Sequence, residues 1–158
     1  EESVLEACFR ERIALSPGAA TLIGTMRAQG ATCILVSGGF TFFVERVARL
    51  ACFNDFRANE LLFENGALTG AVARPILGRA AKAETLRLYT DRLGLKREET
   101  LALGDGANDL DMIAEAGLGV AFHAKPKVAA AADASISHGD LTALLYAQGY
   151  AETEFYTP

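Results

Sequence analysis

The sequence predicts an α/β fold built on a mostly parallel sheet. Short apolar runs rich in β-branched residues alternate with segments of helical periodicity along most of the chain. Two of these runs end on glycine-rich turns that lead directly into a helix, which is the unit from which parallel sheets are assembled. A length of 158 residues with 51% hydrophobic content suits one domain with a real core.

The N-terminal third is predicted to hold two helices before its first strand. Apolar residues recur at helical spacing over residues 4–13. Ser16-Pro17 offers an N-cap followed by proline at the first helical position, and Gly30 would end this second helix. Residues 32–36 form a β-branched run that predicts a buried strand, which stops at Ser37-Gly38-Gly39.

A β-hairpin insertion is predicted over about residues 59–72, because Asn65-Gly66 separates two apolar runs and both turn residues tolerate positive φ. Helices and strands alternate on both sides of it. The remaining predicted helices cover residues 41–52, 80–93, 108–116, 125–132 and 140–148, with Asp140 as the last cap. The remaining strands cover 100–103, 119–122 and 134–137.

Composition excludes several classes of function. A net charge of −5 argues against a sequence-blind nucleic-acid binder, which needs surplus Lys and Arg for phosphates. No apolar run reaches the length needed to span a bilayer, so no membrane segment is predicted. Cys8, Cys33 and Cys52 have no C-x-x-C spacing and make an odd count, and the acidic start has no signal-peptide character. These features favour a reducing compartment and a cytoplasmic protein.

Three polar clusters are expected at or near the sheet edge where α/β proteins bind ligands. The hydroxyl and unshielded N–H groups of Ser37-Gly38-Gly39 suit phosphate oxygens, and Lys82 can supply compensating charge. The run from Gly104 to Asp109, Gly-Asp-Gly-Ala-Asn-Asp, groups two carboxylates and an amide after a strand. Such oxygen ligands favour a hard cation, and Mg²⁺ is the natural choice beside phosphate.

Each cluster has a plainer interpretation, and several competing motifs fail. Ser-Gly-Gly is also typical of a tight strand-to-helix turn, a lone helical Lys is usually solvated, and the third cluster could be an Asx-capped turn.

The dinucleotide motif needs glycine where Asp109 stands, the EF-hand needs an acid or amide at Ala107, and no P-loop occurs. The serine-hydrolase elbow is a near miss, because Leu35 occupies its first glycine position.

Taken in order, these clusters resemble the motifs of the haloacid dehalogenase superfamily of phosphotransferases. Ser37-Gly38-Gly39-Phe40 resembles the second motif of that superfamily, Lys82 the lysine of the third, and the run from Gly104 to Leu110 the fourth. Residues 36–43, 58–61 and 124–127 resemble more closely the phosphoserine phosphatase family within it. The resemblance extends from Ser16 to about Leu145.

The resemblance implies Mg²⁺-dependent hydrolysis of O-phosphoserine to serine and phosphate, the last step of serine biosynthesis. Catalysis of this kind depends on positioning and charge stabilisation. The implied roles divide among six residues: Ser37 and the Gly38 amide hold the phosphoryl group, Lys82 neutralises it, Asp105 binds Mg²⁺, Asn108 contacts substrate or phosphate, and Asp109 orients Lys82 or the metal shell.

One motif of the superfamily is missing, namely the Asp-x-Asp-x-Thr/Val that supplies its aspartate nucleophile on the first core strand. No such motif precedes Ser37, and the only Asp-x-Asp is Asp109-Leu110-Asp111. We therefore expect residues 1–15 to be the end of a helical cap, 16–150 an incomplete catalytic core and 151–158 a loose tail. The chain alone is expected to be inactive.

The missing strand would lie between the strands ending at Val36 and Leu103, leaving unpaired N–H and C=O rows there. The sequence thus predicts no stable monomer, but a complementary N-terminal segment or self-association that covers the open sheet. Two alternatives stay open: a phosphatase or phosphotransferase acting on another small phosphate ester, and a nucleophile-less module that binds Mg²⁺ and phosphate. A serine hydrolase is a more distant possibility.

Overall fold

The computed structural model describes residues 2–158 and confirms the predicted α/β class with mostly parallel sheets. Its elements in chain order are α1 (Glu2–Arg12), α2 (Ala19–Ala28), β1 (Ile34–Phe40), α3 (Thr41–Leu50), β2 (Asp55–Asn59), β3 (Leu61–Glu64), β4 (Ala67–Val72), α4 (Arg79–Leu93), β5 (Leu101–Gly104), α5 (Leu110–Glu115), β6 (Leu118–Phe122), α6 (Pro126–Ala129), β7 (Ala134–Ile136) and α7 (Ala143–Ala147).

The chain divides into two compact units. The first unit contains the residues up to Ile76 together with Asp140–Pro158, and the second contains Leu77–Gly139. In the first unit β1 and β2 pair in parallel, and β3 and β4 form an antiparallel hairpin. Asn65 and Gly66 have φ of 50° and 76°, which confirms the predicted hairpin turn.

Strand β1 differs from its prediction, because it does not stop at the glycines but continues through them to Phe40. Its partner β2 was not predicted from the sequence. After an irregularity beyond Val36, the pairing of β1 with β2 resumes where Phe40 pairs with Asn59. Extended backbone on this neighbouring strand keeps Ser37-Gly38-Gly39 extended as well. The predicted turn therefore lies within the irregular end of β1, and these three residues are called the Ser37 turn.

Two helix starts also differ from their predictions. Helix α2 begins at Ala19 rather than Pro17, and Gly18, with φ of 78°, occupies its N-cap without a side-chain bond. A Cβ on Gly18 would lie 2.9 Å from the Thr142 nitrogen, so the turn is tight as well as left-handed. Asp140 accepts bonds from the N–H and hydroxyl of Thr142, one turn ahead of α7, rather than capping a helix that begins beside it.

The C-terminal residues, expected to be a loose tail, carry a short 3₁₀ helix at Glu152–Glu154. Beyond it, the Tyr156 N–H donates to the hydroxyl of Thr25 at 2.8 Å, and Thr25 is buried in α2. The Phe155 and Tyr146 rings lie 4.9 Å apart between centroids. Within the first unit, this segment therefore packs against α2 and α7.

The second unit is a parallel sheet in the order β5-β6-β7, covered by helices. Its core is formed where Ile113 of α5, Ala121 of β6 and Val128 of α6 meet, all of them fully buried. Helix α6 is shorter than predicted and ends at Ala129. Helix α4, the longest at 15 residues, falls short of a bilayer span, and no helix within residues 2–158 is long and apolar enough for one.

Strands β1 and β5 each stand at the end of a sheet. Among the described strands, β1 has only β2 as a hydrogen-bonded neighbour, and β5 has only β6. Each therefore leaves one edge without a partner strand in residues 2–158.

Candidate active site

A buried ion pair joins α4 to the start of α5. The Lys82 ammonium donates to Asp109 Oδ1 at 2.5 Å, and the two side chains are 10% and 5% exposed. A buried charge is costly unless it is paired and hydrogen-bonded, so each of these residues explains the burial of the other. The structure thus brings together two residues that the sequence placed 27 positions apart.

The second oxygen of Asp109 organises the loop after β5. Asp109 Oδ2 accepts the N–H groups of Asp105 at 3.2 Å and Gly106 at 3.0 Å. A Cβ at Gly104 would lie 2.4 Å from Asp109 Cβ, so only glycine leaves room for this carboxylate. One side chain therefore fixes both the loop conformation and the position of Lys82.

Asp105 and Asn108 lie on the same loop with exposed side chains. Both oxygens of Asp109 are already engaged, which leaves Asp105 as the free carboxylate of the loop for a cation. No group of three or more His, Cys, Asp or Glu in residues 2–158 could hold a metal ion. Mg²⁺ binds through one or two carboxylates together with phosphate oxygens and water, so Asp105 fits as a single ligand.

In the first unit, the Ser37 turn is held by hydrogen bonds from two sides. The Ser37 hydroxyl accepts the Gly39 N–H at 3.0 Å, and the Asn59 amide donates to the Gly38 carbonyl at 2.9 Å. Asn59 is only 6% exposed, while Gly38 and Gly39 are exposed. Helix α3 begins at Thr41, directly after this turn, so its free N–H groups follow the Ser-Gly-Gly run.

Sequence reasoning missed two contacts, one made by Asn59 and one by Asp111. Asn59 lies in a stretch that carries the family resemblance, but its bond to Gly38 depends on β2, which no local signal predicts. Asp111, the second acid of the Asp-x-Asp, does not join Asp109 but pairs with Arg79 of α4. Hydrogen bonding from that guanidinium lowers the pKa of Asp111 below its ordinary value.

These turns and this fold belong to a known class of protein. The family model of haloacid dehalogenase-like hydrolases matches residues 1–114, which is more than half of the chain. The chain therefore belongs to that family.

Two relatives similar in sequence to this chain are phosphoserine phosphatases. The chain is 45% identical over 144 residues to the enzyme of Mycobacterium tuberculosis, covering 91% of this chain and 35% of that protein. It is 44% identical over 148 residues to the enzyme of Albidiferax ferrireducens, covering 91% of this chain and 62% of that protein. The chain thus spans between about a third and three fifths of these relatives.

Solved structures give the same picture at the level of the fold. A phosphoserine phosphatase solved as a phospho-aspartyl intermediate analogue superposes with a TM-score of 0.83 at 36% identity, over 90% of this chain and 68% of that one. The unliganded probable phosphoserine phosphatase of Vibrio cholerae gives a TM-score of 0.82 at 35% identity, over 91% of this chain and 43% of that one.

Proposed function

We propose that the protein containing this chain hydrolyses O-phospho-L-serine to L-serine and phosphate. The observation that carries the proposal is the buried Lys82–Asp109 pair, tied to the loop that follows β5. A buried ammonium held by one carboxylate is a fixed positive charge, and fixed charges are what phosphoryl transfer requires. The substrate is proposed from the relatives, which are 40–45% identical phosphoserine phosphatases.

Lys82 neutralises the charge of the transferring phosphoryl group in this proposal. Asp109 acts on Lys82 rather than on the substrate, because its oxygens are occupied by the ammonium and two loop N–H groups. Since the ammonium is already oriented, little reorganisation is needed when charge develops on the phosphoryl oxygens. Removing Lys82 should therefore affect kcat as well as substrate binding.

Ser37 and the Gly38 amide bind phosphoryl oxygens, and Asn108 contacts the substrate or its phosphate. The Asn59 bond to the Gly38 carbonyl supports this role by holding the turn from β2. The exposure of Gly38 and of Asn108 leaves their polar groups available to a ligand. Small exposed glycines also allow the backbone to approach a phosphate closely.

Asp105 would hold Mg²⁺ as a carboxylate ligand. The metal supplies charge neutralisation between an anionic substrate and an anionic nucleophile. Because Asp105 is one exposed carboxylate without acidic neighbours that could complete a site within residues 2–158, phosphate and water must provide most of the other ligands.

The nucleophile is proposed to come from outside these 158 residues. A carboxylate oxygen attacks phosphorus, the bond from phosphorus to the serine oxygen breaks, and that oxygen takes a proton from water. A water molecule then attacks the aspartyl phosphate, which releases phosphate and restores the carboxylate. The chain alone is accordingly proposed to be inactive. The segment that carries the carboxylate, or a second copy of this chain, would cover the open edge of β1 or of β5.

A cytoplasmic location accompanies this proposal. Cys8, Cys33 and Cys52 are all free thiols in the structure, which supports a reducing compartment. Burial raises the pKa of the Cys33 thiol, so that thiol stays protonated and unreactive near neutral pH.

A panel of small phosphate monoesters tests the function. Phosphate release by the whole protein is measured with Mg²⁺ and with a chelator, beside the 158-residue chain alone. We expect O-phosphoserine to give the highest kcat/KM, dependence on Mg²⁺, and no turnover by the short chain. A higher kcat/KM for another ester would mean that this ester, and not O-phosphoserine, is the substrate. Phosphate binding without turnover by the whole protein would indicate a binding module.

A further inference from the structure

Helices α4 and α5 are joined by a second ion pair next to the buried one. Arg79 donates through Nε to Asp111 Oδ2 at 2.6 Å and through its terminal nitrogen to Asp111 Oδ1. Arg79 lies three residues before Lys82, so both cations are on one side of α4. Asp111 lies two residues after Asp109, in the first turn of α5.

Among the described residues, the carboxylates of Asp109 and Asp111 share no hydrogen-bond donor. Asp109 uses one oxygen for Lys82 and the other for loop N–H groups, whereas both oxygens of Asp111 accept from Arg79. Each acid therefore has its own hydrogen-bonded cation, and Arg87 adds a weaker electrostatic attraction to Asp111. Among the ion pairs of residues 2–158, Lys82 has Asp109 as its carboxylate partner.

The position of Arg79 needs an explanation of its own. It is the first residue of α4, and the first turn of that helix contains no acid. A cation at a helix N-terminus is disfavoured by the macrodipole, which makes that end positive. The side chain is also about half exposed, at 52%, so packing does not fix it there. Its bidentate bond to Asp111 is the contact that accounts for it.

We propose that Arg79 is a positioning residue for the reaction: by pairing with both oxygens of Asp111 it neutralises a negative charge beside the Lys82–Asp109 pair, and so preserves the positive potential that an anionic phosphate meets there. This rests on the proposed function. Without Arg79, the carboxylate of Asp111 is an uncompensated anion close to the site. It then repels a phosphate dianion.

The same two helices supply a matched control. Arg87 donates to both oxygens of Glu115, with the terminal nitrogen at 2.8 Å. The Arg87 side chain is about as exposed as that of Arg79, at 57% against 52%, and Glu115 is less exposed than Asp111. Arg87 lies eight residues after Arg79, about two helical turns further from the start of α4. A purely structural tie between the helices would give both arginines the same importance.

Inorganic phosphate is the probe, and its dissociation constant is measured calorimetrically on the whole protein for Arg79→Met, Asp111→Asn, the double variant and Arg87→Met. We expect Arg79→Met to weaken binding about tenfold through one uncompensated nearby charge. Arg87→Met should bind as the wild type does, whereas Asp111→Asn leaves the charge of Arg79 uncompensated and should bind phosphate more tightly than the wild type. The double variant should recover wild-type affinity, because the charge that Arg79 neutralises is gone.

Three results would overturn the inference. Weak binding by the double variant would mean that Arg79 contacts the anion directly, and equal weakening by Asp111→Asn would mean that the pair is only a structural tie. A wild-type protein that binds no phosphate would overturn it as well. Turnover of O-phosphoserine, measured on the same samples, reports separately on the proposed function: kcat/KM should fall about tenfold in Arg79→Met and return in the double variant.

Discussion

Replacing Asp109 by Asn should cost the protein a large part of its stability. The substitution keeps the size of the side chain and an oxygen that can accept the N–H groups of Asp105 and Gly106. It removes the charge that compensates Lys82, whose side chain is only 10% exposed. Breaking a buried pair by neutralising one partner costs about 3–5 kcal/mol, because the other charge stays buried without compensation.

A double-variant cycle separates this electrostatic cost from simple loss of packing. Lys82→Met removes the ammonium and leaves a buried apolar stem, so Lys82→Met together with Asp109→Asn contains no unpaired charge. The double variant should be more stable than Asp109→Asn alone, with a coupling of about 1–3 kcal/mol. Asp111→Asn, in an exposed pair of the same helix, is the matched control and should change the free energy of unfolding far less.

Urea unfolding of the whole protein at neutral pH, followed by circular dichroism, measures all four variants. A loss of about 1 kcal/mol or less for Asp109→Asn, the size expected of an exposed pair, would mean that Lys82 does not depend on this carboxylate for charge compensation. Additive losses in the cycle would mean the same, because two residues that do not compensate each other show no coupling.

Three further predictions test the local structure. Gly104→Ala places a Cβ 2.4 Å from a neighbouring side-chain carbon and should cost about 1–3 kcal/mol on thermal unfolding, whereas Gly78→Ala, whose Cβ meets nothing within 4 Å, should leave the midpoint unchanged. Gly24→Ala should stabilise a Tyr156→Ala background by about 0.5–1 kcal/mol, but should not stabilise the wild type, because the ring lies 2.2 Å from the added Cβ. Asp140→Asn should lower the thermal midpoint at pH 7. Hydrogen bonds lower the pKa of Asp140 in the folded state from its ordinary 3.8, so its stabilisation is present above that value and the difference should shrink as pH falls below it.

Each of these three predictions has an opposing outcome. Equal midpoints for the two glycine variants Gly104→Ala and Gly78→Ala would mean that the loop can move away from the added carbon. A gain of stability for Gly24→Ala in the wild type would mean that the Tyr156 ring does not pack on α2. A constant difference across pH for Asp140→Asn would mean that the charge of that carboxylate is irrelevant to folding.

The elements that the sequence predicted well are those whose signals are local. The hairpin follows from Asn65-Gly66, because two adjacent residues that accept positive φ determine the turn by themselves. The parallel strands β5 and β6 are short apolar runs between turn residues and were found for the same reason. The predicted helix starts were less accurate. Helix α2, for example, begins after Gly18, whose position is set by its close approach to Thr142 and not by its neighbours in sequence.

The rest depends on contacts between distant segments. Strand β2 carries charged and polar residues in a five-residue run and is a strand because it pairs with β1. The family resemblance implies that Asp109 orients Lys82 or the metal shell, and the structure pairs Asp109 with Lys82. The resemblance does not predict that the second oxygen of Asp109 holds the loop. The role of Arg79 could not be predicted from the sequence, because no local pattern accounts for an arginine at the first position of a helix.

If Lys82 serves hydrolysis of O-phosphoserine, its loss must lower steady-state phosphate release by the whole protein, measured for the wild type and for Lys82→Met. We expect turnover by the wild type and a kcat/KM about 10²–10³ lower in a folded variant, as when one charge-stabilising donor is lost. Equal rates for the two proteins, or no release from O-phosphoserine by the wild type, would contradict it.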